Sequence, residues 1–221
     1  TVTARTQGVS MLLNVFFGPV MNAAAGISTS VQNAVMAFAG NVNTAVRPQI
    51  IKYYAVGEYK KMESLINNAC KLNFLVMVML IVPLCFEINY ILKLWLGNVP
   101  AMSNIFCILT LSFNLFANMS FLVNLGNHAA GKIFRPSMIN GTLYIMVVPV
   151  SYISFQLGGQ AWTSYLFNLV AVVFGMLSNV YTLHLNVPEY SPLNFIRNVL
   201  TKCIAAVAIG VIVGCIVRSF L

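Results

Sequence analysis

The chain has 221 residues, 59% hydrophobic and 7% charged, with a mean hydropathy of +0.85 and a formal net charge of +8. An ordinary soluble domain carries about 25% charged residues, so a solvated globule is excluded. Several apolar runs approach the ~20 residues that a helix needs to cross a ~30 Å hydrocarbon core, which indicates an all-α polytopic transmembrane bundle; nothing alternates as a β-barrel strand would.

Seven spans are expected, at about residues 7–20, 23–46, 65–86, 101–125, 137–156, 160–182 and 199–219. The chain opens TVTARTQ without an initiating Met, and so reads as the later part of a longer sequence. The second span is the most informative. At about 100° per residue, Asn22, Thr29, Asn33, Gly40, Asn43, Thr44 and Arg47 fall on one helix face, with Ile27, Val31, Ala34, Phe38, Val42 and Ala45 opposite. Polar side chains in hydrocarbon are costly unless they face protein or water, so the stripe points to a lined cavity or a packed seam.

The run RPQIIKYYAVGEYKKMES then predicts a helix end, a turn at Gly57 and a new start with Glu58 and Glu63 in its first turns. Further on, NYILKLWLGNVP puts Tyr90 and Trp95 at headgroup depth and turns at Gly97, Asn98 and Pro100. Thr110, Asn114 and Asn118 share a face of the fourth span, and Asn140, Gly141 and Tyr144 sit in the fifth. Such neutral groups can hydrogen-bond sugar hydroxyls or phosphate, and can equally hold helices together at about 1 kcal/mol or less per contact. Pro83 and Pro149 interrupt their spans, Pro19 lies between two, and Gly40, Gly141 and Gly175 fall mid-span, positions where helices bend or approach closely.

Charge placement orients the chain. With seven alternating spans, Arg5, Arg47, Lys52, Lys60, Lys61, Lys71, Lys132, Arg135, Arg197 and Lys202 fall on one side and Lys93 and Arg218 on the other, which places the first group in the cytoplasm. The basic excess thus meets anionic lipid, and a nucleic-acid footprint, with its stacking aromatics on one solvated face, is absent.

Enzyme constellations are missing. The chain has no Asp, and its carboxylates are Glu58, Glu63, Glu87 and Glu189, so a paired-carboxylate site is not expected. His128 and His184 fall in solvated turns without a nucleophile motif, and Cys70, Cys85, Cys107, Cys203 and Cys215 have no paired or metal-ligand spacing. Neither catalysis, a metal nor a disulfide framework is indicated.

The run MLLNVFFGPVMNAAAGISTSVQNAVMAFAGNVNTAVRPQIIKYYAVGEYKKM, with ILKLWLGNVP and HAAGKI after it, resembles the second half of bacterial Wzx-type lipopolysaccharide and O-antigen flippases. These belong to the multidrug/oligosaccharidyl-lipid/polysaccharide exporter superfamily, and the resemblance extends from Gln7 to the last span. It implies a MATE-like fold of two lobes facing each other across a cavity. Residues 1–221 would be the C-terminal lobe, helices about seven to thirteen, partnered by an N-terminal lobe of the same chain.

The function that the resemblance implies is translocation of undecaprenyl-diphosphate-linked oligosaccharide repeat units across the bacterial inner membrane. The partners would be the lipid-linked oligosaccharide, membrane lipids and a polysaccharide polymerase; no cofactor is expected and a coupling ion is left open. Arg47, permanently charged and bidentate, is the first candidate for the diphosphate. Lys71, close to the surface and able to snorkel, is the second. Asn22, Thr29, Asn33, Asn43, Asn114 and Asn118 are candidates for lining the path. The family's NAARG run reads NAAAG, with Ala25 in the place of its arginine. A drug or cation exporter of the same superfamily would share the fold but favour intramembrane carboxylates, and an O-antigen polymerase or ligase would show a large external loop.

Overall fold

Residues 2–220 are described by a computed structural model in which helix follows helix, with no strand among them. The elements are α1 (Val2–Phe17), α2 (Pro19–Ala55), α3 (Tyr59–Phe86), α4 (Ile88–Leu96), α5 (Ser103–Ala129), α6 (Phe134–Gln156), α7 (Thr163–Asn186), α8 (Pro192–Phe195) and α9 (Thr201–Phe220). A π-turn over Ile196–Leu200 joins α8 to α9, so the last span starts earlier than its hydropathy predicts.

Five segments are long and apolar enough to cross a bilayer: α3, α5, α6, α7 and the continuous stretch Pro192–Ser219. The other two expected spans differ from these. α1 is described over the 16 residues Val2–Phe17, about 24 Å, and is not among the five. At 37 residues, or about 55 Å, α2 exceeds the hydrocarbon thickness, but its polar stripe lowers its hydropathy.

Local chemistry sets the breaks. Gly18 adopts φ +81°, a conformation that strains any residue with a Cβ, and Pro19 starts α2 at the position where its missing N–H has no helical partner to lose. At the far end Gly57, with φ +75°, makes the expected turn, but α2 reaches it by running through Pro48 instead of ending near residue 46. Pro48 is exposed, so water can take up the carbonyl that its ring leaves free. Nor do Pro83 and Pro149 end their helices; α3 continues to Phe86 and α6 to Gln156, because each proline removes one backbone bond from a ladder with which no water competes.

Two expectations about histidine also change. His128 and His184 lie in the last turns of α5 and α7, not in loops. His128 is exposed, with its Nε2 3.4 Å from Asn124 Nδ2, whereas His184 is half-buried with Nδ1 2.7 Å from the Tyr190 carbonyl.

α5 is the central helix, packed against α2, α3 and α7; α6 covers α7 and α1, and α9 leans chiefly on α3. Small residues permit the closest approaches. A Cβ on Gly126 would stand 2.9 Å from Leu183 and 3.0 Å from Ile66, and one on Gly214 would run into the Phe86 ring. Among the described residues two large apolar cores result, with a small third one where Ile88 and Leu92 of α4 meet Cys107 of α5. The larger joins α3, the later halves of α2, α5 and α7, and the α8–α9 region around Tyr190 and Phe195. The smaller joins α1, α6 and the early turns of α2, α5 and α7, with Phe17 and Phe155 edge to face at 5.0 Å. α1, α2, α5, α7 and α6 thereby form a ring with a gap at its centre.

Candidate functional site

The gap is a cavity of about 430 Å³ lined by α1, α2, α5 and α7. Among apolar residues such as Val9, Leu13, Leu109 and Phe113, the lining presents amides and hydroxyls: Gln7 and Ser10 from α1, Asn22, Ser28, Thr29, Gln32 and Asn33 from α2, Thr110 from α5, and Tyr165 and Asn168 from α7. No carboxylate is among the lining residues. Ser10 donates from Oγ to Asn22 Oδ1 at 2.6 Å, which pins α1 to α2 across the Gly18 break.

One cation enters this cavity. Arg5, in the first turn of α1 and half-buried, lies about 18 Å from the Gly18 turn and is among the residues that line the cavity. Its guanidinium stands over two rings, with Cζ 4.6 Å from the Tyr144 centroid and 5.0 Å from that of Phe113. Each ring face attracts a cation, by about 0.5–1 kcal/mol when exposed and more when dry. Even so, Arg5 Nη1 is buried and donates to no protein acceptor. Thr110 Oγ1 and Asn168 Oδ1, also on the cavity wall, are buried without a partner. A buried polar atom left unpaired costs about 1–3 kcal/mol, and more when it is charged. The wall therefore offers an unused cationic donor beside unused neutral oxygens.

The candidate residues do not share one place. Asn22, Thr29 and Asn33 line the cavity. Asn43 and Asn118 face neighbouring helices: Asn43 Nδ2 donates to Asn118 Oδ1 at 2.8 Å, Asn73 Nδ2 to Asn43 Oδ1 at 3.0 Å, and Asn118 Nδ2 to Met77 Sδ at 3.2 Å. Asn114 is buried between these sites with both amide atoms unpaired. Arg47 is exposed and, with Asn43, Thr44, Pro48, Ile51 and Phe121, lines a separate groove of about 260 Å³. Lys71 is half-buried on α3 and belongs to neither the cavity nor the groove.

The stripe on α2 is thus both cavity and seam, divided along its length. Reading the sequence missed Arg5, because a residue so near the start of an apolar run counts as a flanking charge. It also missed Gln32, which lies just off the plotted stripe. A nearer signal was available in Phe113 and Tyr144, aromatic residues in polar-faced spans.

A second polar network lies beyond the cavity, within α5, α6 and α7. Asn179 Nδ2 donates to Ser120 Oγ at 2.8 Å, Asn140 Nδ2 to Asn179 Oδ1 at 3.0 Å, Asn127 Nδ2 to the Asn179 carbonyl at 3.2 Å, and Asn186 Nδ2 to Asn127 Oδ1 at 3.0 Å. Next to it Tyr190 OH donates to Asn67 Oδ1 at 3.3 Å and Asn194 Nδ2 to Glu63 Oε1 at 2.8 Å. Here most of the amide atoms bond to each other or to neighbouring polar groups, with Asn140 Oδ1 left unpaired, which marks a mainly structural role. No grouping of His, Cys, Asp and Glu among the described residues is arranged to hold a metal.

No protein-family model, no curated protein and no solved structure matches the chain.

Proposed function

We propose that this chain forms part of a membrane translocator that moves a lipid-linked oligosaccharide, with the anionic, hydroxyl-rich headgroup held in the α1–α2–α5–α7 cavity. The observation that carries this reading is the half-buried Arg5, whose buried Nη1 is unpaired in a cavity that presents amides and hydroxyls but no carboxylate. A diphosphate would accept from Arg5, and sugar hydroxyls would both donate to Asn168 Oδ1 and Thr110 Oγ1 and accept from the amides. The prenyl tail would remain in lipid. Intramembrane cations are costly and face cavities where they act on substrate, which favours transport over anchoring.

Arg5 also supplies the charge that the NAAAG run lacks, because Ala25 lines the same cavity. In this reading the chain is the second lobe of a two-lobe, MATE-like flippase in a bacterial inner membrane, with its basic loops cytoplasmic, and it carries undecaprenyl-diphosphate-linked repeat units. Arg47, at the end of the stripe, would meet the diphosphate before it enters.

The test is genetic and biochemical. Deleting the complete protein should leave lipid-linked repeat units on the cytoplasmic leaflet and abolish the surface polymer; intact polymer with altered drug resistance would replace this reading with an exporter. Arg5→Ala should lower export about 10- to 100-fold, the worth of one charge-assisted hydrogen bond of about 1.5–3 kcal/mol, with membrane insertion unchanged. Full export by Arg5→Ala would remove Arg5 from the site.

A further inference from the structure

Asn114 is 1% exposed, yet neither its amide nitrogen nor its oxygen has a partner. It stands one turn along α5 from Thr110, whose Oγ1 is also buried and unpaired and which lines the cavity. One turn further is Asn118, bonded to Asn43, which in turn accepts from Asn73, whose own Oδ1 is unpaired. Asn43 is also part of the groove that holds Thr44 and Arg47. Four orphaned polar atoms on one seam, each unpaired away from water, would impose a cost comparable to the net stability of a protein.

Spacing indicates what satisfies them. Side chains four apart on a helix stand about 5–6 Å from each other, the distance that one water bridges with two hydrogen bonds of about 2.8 Å each. The seam presents both donors and acceptors and carries no charge of its own between its two ends, which suits water and not an ion.

We propose that a chain of ordered waters runs along Thr110, Asn114 and the Asn118–Asn43–Asn73 triad, and joins the cavity to the Arg47 groove. Through it, water reaches the cavity from the groove side without the helices separating. This path stands whatever the cavity carries.

Met77 reports on it in the intact protein, because its sulfur touches Asn118 and is fully buried, as are Met62 and Met176 elsewhere in the same core. The protein in lipid nanodiscs would be exposed to hydroxyl radicals generated from water by X-rays, and methionine oxidation read by mass spectrometry. If waters line the seam, Met77 should oxidise about tenfold or more faster than Met62 and Met176. In Asn114→Leu, which blocks the middle of the column, Met77 should fall to the rate of the other two. Equal rates for the three in the wild-type protein would overturn the proposal, and so would a fast Met77 that Asn114→Leu leaves unchanged. Should that variant fail to fold, the wild-type comparison decides alone.

Discussion

Arg5 shows how a residue's meaning depends on what surrounds it. In sequence it is one of twelve cations; in the fold it is a half-buried guanidinium over the Tyr144 and Phe113 rings with a buried donor to spare. Its role can be separated from its position, because Ala25 lines the same cavity. If what matters is a cation in the cavity, Arg5→Ala combined with Ala25→Arg should recover a substantial part of the export that Arg5→Ala loses, measured as surface polymer; no recovery would mean that the Tyr144–Phe113 seat itself is required. Tyr190, outside the spans, is a different kind of buried residue. Burial pushes its hydroxyl well above the ordinary value of 10, with the nearby Cys70 and Glu63 acting in the same direction. Below pH 10 the phenol is neutral folded and unfolded, so no stability is lost. As pH rises above 10 the unfolded chain ionises first, and stability falls toward the folded value. The unfolding midpoint should therefore drop more steeply between about pH 9 and 11 for the wild-type protein than for Tyr190→Phe. Parallel slopes would contradict it.

At the scale of elements, the same residue type does opposite work on different helices. Asn22 and Asn33 on α2 line the cavity, while Asn179 on α7 is spent between Ser120 and Asn140. Interhelical hydrogen bonds in bilayers average about 0.6 kcal/mol and reach about 1.7, so Asn179→Ala should cost about 1–3 kcal/mol once its stranded partners are counted, seen as a lower unfolding midpoint in detergent. An unchanged midpoint would mean that the network contributes nothing. Periodicity placed the helices well, since a polar face and an apolar face are local properties of a repeating geometry. It set the end of the second span too early: α2 passes Pro48 and runs to Ala55, because losing one bond does not undo a ladder held by every other residue, and α6 likewise continues past Pro149 to Gln156, the end that its span predicted.

For the whole molecule, orientation is the claim most open to direct measurement. In a background without the native cysteines, Lys93→Cys should react with an impermeant maleimide added to intact cells, whereas Lys132→Cys should react only after permeabilisation; the reverse pattern would invert the protein in the membrane. Both positions are exposed, so access depends on the side of the membrane and not on burial. The all-α membrane class followed from composition and run length alone, since hydrocarbon rejects unpaired backbone and admits few charges in any arrangement. The polar stripe on α2 was legible for the same reason, as a repeat along one helix. Which part of it meets a cavity and which part a neighbour depended on α5, whose Thr110 and Asn118 face α2 at different depths, and on the Gly18 break, which lays α1 against α2 so that Arg5 enters the cavity. Those are contacts between residues far apart in the chain, and no period in the sequence encodes them: local geometry repeats along a helix, but the partners of its faces are set only when the helices pack.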